Sequence, residues 1–237
     1  MAEALIALGG NLDDPPLVMR RALELLSRHP AVSLGRVASV YRTVPIGAQA
    51  GNEFYNSAAS LQTTLTPESL LDLLLSVEDH LGRVRQVHWG PRLIDLDLIA
   101  MEQQVISTER LTLPHPAMWY RRFVLDPLCE VAADWVHPVL HRSVIELRSQ
   151  LQQRPLRCCA DLDEVSLQSL KNQARTRFPE PEVLFVTRDE NPAIVFSMSP
   201  EPDCPLSVTL PAIDAPACAV EILQAMLDEP QGYRNFD

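Results

Sequence analysis

The 237-residue chain has a formal net charge of −11, with 46% hydrophobic and 22% charged residues. That is the balance of a soluble globular protein with room for one large domain or two small ones. It argues against non-specific nucleic-acid binding, which needs a basic surface, and no stretch approaches the roughly 20 apolar residues of a membrane span.

Residues 3–9 read as a short apolar strand running into the turn signal Gly9-Gly10-Asn11. Asp13 or Asp14 can cap a helix with Pro15 or Pro16 in its first turn, and Leu17, Ala22, Leu25 and Leu26 supply its apolar side. Residues 32–42 return to extended structure, and 43–53 form a Pro/Gly loop. Residues 54–64 alternate as a strand, with Phe54, Asn56, Ala58, Ser60 and Gln62 on one face. Thr66-Pro67 opens the next helix, on which Leu70, Leu71, Leu74, Val77 and Leu81 recur at helical spacing until Gly82. A polar, arginine-bearing segment, 83–92, leads into a strand. A second short strand is expected at 104–107, then a Pro-punctuated turn into a helix reaching about Ala133.

Composition shifts near residue 150. Ten of the twenty prolines lie in 151–237, with fourteen Asp or Glu against seven Arg or Lys. Strands are expected there at 183–187, 193–198 and 206–210, with a helix at 216–228. The reading is two domains, 1–150 and 151–237, joined around Gln150–Pro155. The cysteines, odd in number and without CxxC spacing, read as reduced thiols of a cytoplasmic protein. Met1–Gly10 lacks the basic start and long apolar run of an export signal.

The stretch "RLIDLDLIAM", 92–101, carries the chemistry. Side chains two apart on a strand share a face, so Asp95 and Asp97 point one way while Ile94, Leu96 and Leu98 point into the core. Two carboxylates roughly 6.5–7 Å apart along a strand repel unless a cation joins them. Mg²⁺ suits such a pair, completing its shell with water and phosphate oxygens. The competing interpretation is an exposed edge strand whose polar face meets water. Arg83, Arg85 and Arg92 before the strand, and Arg110, Arg121 and Arg122 after it, favour a polyphosphate site. All basic residues but Lys171 are arginine, so an anion site here is an arginine site. His115, between two prolines, could donate to a phosphate, and Trp89 lies on a loop suited to a ligand lid.

The strings "ALGGNL" (7–12), "YRTVPIG" (41–47), "FYNSA" (54–58), "GRVR" (82–85), "WGPRLIDLDLI" (89–99), "RLTLPHP" (110–116) and "RRFVLDPL" (121–128) resemble the 6-hydroxymethyl-7,8-dihydropterin pyrophosphokinase family. The resemblance runs from about residue 3 to 142. It implies an α+β fold, a ferredoxin-like antiparallel sheet with flanking helices, to which 151–237 adds a small α+β unit of unrecognised role. It implies transfer of diphosphate from ATP to the pterin hydroxymethyl group, releasing AMP, for folate biosynthesis. Two Mg²⁺ ions would be held by Asp95 and Asp97, with Arg83 and Arg92 supporting transfer. ATP would meet Leu71, Glu78, Arg85, Trp89, Arg92, Leu98, Arg110, Thr112, His115 and Arg121. The pterin would stack between Phe54 and Phe123, read by Asn56, Thr43, Pro45 and Ile46, with Trp89 nearby.

Four departures stand out. Gly10 replaces a usual Ser, Phe54 a common Tyr, and Pro116 an aromatic of some members. The segment between Arg85 and Trp89 is one residue shorter than in some relatives, with His88 where Arg is frequent. Two further classes share the weak DxD motif: a metal-dependent sugar-nucleotide transferase and a non-catalytic nucleotide-binding protein. The pterin-specific aromatics and the intact acid pair argue against both. A monomer is expected, or a dimer formed through the extension, with no nucleic acid or membrane partner.

Overall fold

A computed structural model describes residues 1–44, 52–82, 92–178, 182–201, 203–204, 206–234 and 236. The chain separates into two units. One comprises Met1–Ile145 together with Asp228–Asp237, the other Glu146–Leu227. The expected division at residue 150 differs from this at its far end, because the last ten residues return to the first unit.

The first unit is built on an antiparallel sheet. Its strands are β1 (Ala2–Gly10), β2 (Val32–Val37), β3 (Val40–Thr43), β4 (Phe54–Thr63) and β5 (Asp95–Met101), and the last strand of the chain, β12 (Gln231–Arg234), joins them. The order is β12-β3-β4-β1-β5, with β2 also paired to β4. Alternation divides the sheet into two faces. Ile6, Leu8, Ala59, Leu61, Leu96 and Leu98 pack with Met19, Ala22, Leu26, Leu70 and Leu74 of the two long helices. Burying such side chains stabilises by about 1.5–3 kcal/mol each.

Those helices begin and end where their sequences dictate. In α1 (Pro15–Ser27) the Asp14 carboxylate accepts the Leu17 N–H at 3.3 Å. In α2 (Pro67–His80) the Thr66 hydroxyl accepts the Ser69 N–H at 3.2 Å. Gly82, with φ of +91°, follows α2 in the left-handed conformation that glycine adopts without strain. The apolar side of α1 differs from the expectation: Leu17 is exposed, and Val18, Met19 and Leu23 are buried in its place. The extended run 32–42 divides into β2 and β3, and the acidic strand begins at Asp95 itself.

Two short strands, β6 (Ile106–Ser107) and β7 (Thr112–Leu113), form a small ribbon. The helix expected to reach Ala133 is a 3-10 turn, Met118–Tyr120, followed by α3 (Arg122–Ala132). Helix α3 packs on the sheet face opposite α1 and α2. Its Glu130 accepts the Tyr41 hydroxyl at 2.5 Å and the Ser39 hydroxyl at 3.0 Å.

Helix α4 (Val144–Gln152) leads into the second unit, whose elements are β8 (Leu156–Asp161), α5 (Glu164–Arg177), β9 (Val183–Phe185), β10 (Ile194–Ser197), β11 (Ser207–Thr209) and α6 (Ala215–Leu227). The sheet order is β11-β10-β8-β9 and every pairing is parallel. This differs from the expected α+β unit. A helix carries the chain from β8 to its neighbour β9, as parallel pairing requires, which makes the unit α/β. Strand β8, carrying Cys158 and Cys159, lies outside the elements expected from sequence. None of the five cysteines forms a disulfide, and burial pushes the Cys158 thiol up to about 12.

Candidate active site

The register of the sheet assembles the site. Gly9 of β1 is paired with Asn56 of β4 on one side and with Asp95 of β5 on the other. Ala7, two residues back on the same face, is paired with Ala58 and Asp97. The face opposite α1 and α2 therefore carries an amide on one strand and two carboxylates two strands away, roughly 10 Å apart at ordinary strand spacing. Between them the floor is made of Gly9, Ala7 and Ala58. A Cβ on Gly9 would lie 3.4 Å from the Asn56 Oδ1 and 3.8 Å from the Asp95 Cβ. Glycine leaves that space open.

Asn56 is buried and donates from Nδ2 to the Thr43 hydroxyl at 2.9 Å. Thr43 and Phe54 are paired on β3 and β4, so Thr43, Phe54 and Asn56 occupy one patch of one face. Phe123 is half-buried in the first turn of α3, and the Arg121 guanidinium lies 5.6 Å from its ring centroid.

The acidic start of β5 is held from two directions. Glu78 of α2 is buried, and its Oε1 accepts the Leu96 N–H at 2.6 Å. That bond fixes the backbone between the two aspartates and defines Glu78 as a support of the strand. On the other side the turn after β1 grips the segment before β5. The Asn11 N–H donates to the Arg92 carbonyl at 3.0 Å, and the Asn11 Oδ1 accepts the Arg92 N–H at 2.8 Å. A Cβ on Gly10 would fall 2.6 Å from the Leu93 carbonyl oxygen. A glycine at this position permits the close backbone approach.

Asp95 and Asp97 are both half-buried, and Arg92 makes a salt bridge to Asp95. No third His, Cys, Asp or Glu joins them in a metal-holding group among the described residues. Such a pair fits Mg²⁺, which keeps water and phosphate oxygens for its remaining positions.

The His115 backbone N–H donates to the Ile99 carbonyl at 2.8 Å, and its Nδ1 accepts the Ala117 N–H at 3.2 Å. Burial, and then the charge of Arg121, push its pKa down to about 4, against the opposing pull of Asp95. The ring is neutral at pH 7, with Nδ1 an acceptor and the proton on Nε2. Both charges acting on His115 belong to predicted site residues, so His115, Arg121 and Asp95 share one neighbourhood.

Other predicted residues divide. Arg110 is exposed and makes a salt bridge to Asp72 of α2, next to half-buried Leu71. Thr112 is exposed on β7. Leu98 is buried in the core cluster against the helices, the face opposite the carboxylates. Arg122, counted in sequence among the flanking arginines, is buried in α3, with its Nη2 2.9 Å from Asp126; it belongs to the interior. Pro45, Ile46, Arg83, Arg85, His88 and Trp89 lie outside the described residues. Sequence reasoning missed Ala7, Gly9 and Ala58. The run of small residues in "ALGG" was the available signal.

An aromatic and hydrogen-bonding patch two strands from an acid pair that carries an arginine supplies the parts a transferase needs to join a ring substrate to a metal-bound polyphosphate. Comparison with known proteins gives the family. Residues 5–133 match the model of the 7,8-dihydro-6-hydroxymethylpterin-pyrophosphokinase (HPPK) family. The 2-amino-4-hydroxy-6-hydroxymethyldihydropteridine pyrophosphokinase of Bacillus subtilis is 44% identical over 128 residues, 54% of this chain and 77% of that protein. The enzyme of the same name from Haemophilus influenzae is 41% identical over 138 residues, 58% of this chain and 86% of that protein. Among solved structures, HPPK-DHPS of Plasmodium falciparum with pteroate superposes with a TM-score of 0.51 at 12% identity, over 95% of this chain and 61% of that one. This chain spans about three fifths of that solved chain, and the likeness concerns fold alone. The chain belongs to the HPPK family.

Proposed function

We propose that the β1–β4–β5 face carries out the family reaction with the residues described above. The chain is an ATP-dependent diphosphotransferase: the diphosphate of ATP passes to the hydroxymethyl oxygen of 6-hydroxymethyl-7,8-dihydropterin, and AMP leaves, a step of folate biosynthesis. The sheet order β2-β4-β1-β5, with α1 and α2 on one face, supports a ferredoxin-like core extended by β3 and β12.

One observation carries the assignment of residues: the row Asn56–Gly9–Asp95 puts an amide and a carboxylate on either side of a residue without a side chain. Asn56, oriented by the Thr43 hydroxyl, reads the polar edge of the pterin, and Phe54 and Phe123 cover its faces. Asp95 and Asp97 would hold two Mg²⁺ ions, which when bound supply positive charge to the phosphates. Arg92, the neutral Nε2–H of His115 and Arg121 donate to phosphate oxygens and gather charge as AMP departs. Arg83 and Arg85 complete the phosphate grip from sequence, and Leu71, Arg110 and Thr112 border the nucleotide. Attack is in line from the substrate hydroxyl on the β-phosphorus, so holding the two substrates in line does most of the work. The core position of Leu98 and the strand-supporting role of Glu78 make both indirect contributors.

Incubation with Mg·ATP and the pterin is expected to yield AMP and pterin diphosphate one for one. Tight sugar-nucleotide binding without AMP formation would defeat the proposal. Arg92→Ala is expected to lower kcat more than it raises KM for pterin; an unchanged kcat would remove Arg92 from the transfer step.

A further inference from the structure

The last ten residues of the chain lie beyond the family match at 5–133, yet they belong to the unit that holds the site. They touch it at three places. The Asp228 carboxylate lies in the electrostatic range of Arg122 and Asp126 of α3, and its Oδ2 is shut from solvent without a hydrogen-bond partner among the described residues. Strand β12 then pairs antiparallel along β3, with Gln231 opposite Arg42 and Gly232 opposite Tyr41. Phe236 packs, half-buried, on the core cluster beneath the other face. The segment wraps the edge of the sheet from the α3 face to the α1/α2 face.

The strand it covers is β3, and β3 is the partner of Phe54 and Asn56. Register ties the two directly. Gln231 lies opposite Arg42, which lies opposite Tyr55. On that face the Arg42 Nη2 donates to the Gln231 Oε1 at 3.1 Å, and the Tyr233 ring meets the Tyr55 ring edge-on, with centroids 5.0 Å apart. Tyr55 sits between Phe54 and Asn56, so a change in its seating moves both neighbours through the backbone. Without β12, β3 would be a four-residue edge strand held on one side only, the kind of element that frays.

We propose that Gln231 and Tyr233 are positioning residues for the pterin end of the site: β12 clamps the β3–β4 hairpin from behind, fixing Thr43, Phe54 and Asn56 for the ring. This rests on the assignment of those three residues to the pterin. Cross-strand pairs of this kind contribute enough that losing one raises KM for the pterin about three- to fivefold.

The test uses the full chain. Tyr233→Ala and Gln231→Ala are compared with Tyr233→Phe, which keeps the ring. For each, kcat, KM for pterin and KM for ATP are measured, with amide exchange at 40–44 and 54–57. The expected result is a raised KM for pterin, an unchanged KM for ATP, faster exchange in both segments, and recovery in Tyr233→Phe. An unchanged pterin KM in both alanine variants, or an equal rise for both substrates, would overturn the proposal. Asn56→Ala separates the two levels. If it leaves pterin binding intact, the assignment of the pterin site fails. If it abolishes binding while the β12 variants match wild type, the clamp alone fails.

Discussion

The two faces of the central sheet are made by the same strands and do opposite work. On one, Ile6, Leu8, Leu96 and Leu98 are packed against α1 and α2 and closed to solvent. On the other, at alternate positions of those strands, stand Ala7, Gly9, Asp95 and Asp97, two of them small and two of them charged and half-exposed. A one-residue step along β5 passes from a side chain that stabilises the fold to one that would hold substrate. On the proposed assignment, mutations within this single four-residue stretch should divide cleanly between stability and activity.

The largest expected effect is on the open face. Asp97→Ala should lower kcat/KM by on the order of 10³-fold, since half of the carboxylate charge that would hold Mg²⁺ against the phosphates is lost. Its melting temperature should change little, and Mg·ATP binding should weaken far more than pterin binding; equal loss of both in calorimetry would mark Asp97 as structural. Next, on the closed face, Leu96→Ala should lose about 2–5 kcal/mol in denaturant unfolding, while the folded fraction retains most of its kcat. A catalytic collapse without loss of stability would erase the distinction between the faces. Between them lies Glu78→Gln. It keeps an acceptor for the Leu96 N–H but weakens a charge-assisted bond, and should cost about 1–2 kcal/mol with a smaller fall in kcat.

The smallest effect is in the pH profile. His115 and His137 both have pKa values pushed down to about 4, each chiefly by burial. Above about pH 6.5 both are neutral folded or unfolded, and they bring no pH dependence. As pH falls from 6.5 toward 4 the unfolded chain takes protons that the folded chain refuses, so stability declines across that window. Asp228 acts in the opposite sense: burial raises its pKa to about 6, so its contribution falls as pH rises from about 4 toward 6. NMR titration should show both imidazoles neutral down to about pH 4. Either one titrating near 6.5 would contradict its burial.

Local signals were legible in the sequence. Thr66 and Asp14 cap the helices expected of them, Gly82 follows its helix, and the alternation of Ile94 to Leu98 assigns the acidic face. What escaped was set by partners distant in sequence. Gly9 looked like a turn residue; only the register between β1, β4 and β5 shows it as the floor between Asn56 and Asp95. Arg122 looked like Arg121's twin, but Arg121 is the extended residue before α3 while Arg122 is the first residue of the helix and turns inward to Asp126. The segment "QGYR" at 231–234 lacks the branched, alternating pattern of a strand. It is extended because β3 supplies an edge, which no local window reveals.

That last pairing also bears on the birth of the protein. Gln231 and its partner Arg42 are 189 residues apart, so a ribosome releases β12 long after β3 and β4 have emerged. Through that interval β3 presents unpaired backbone groups, the surface on which nascent chains join one another. The arginine in "VYRT" keeps a charge on that waiting edge, a guard against self-association until β12 arrives to cover it.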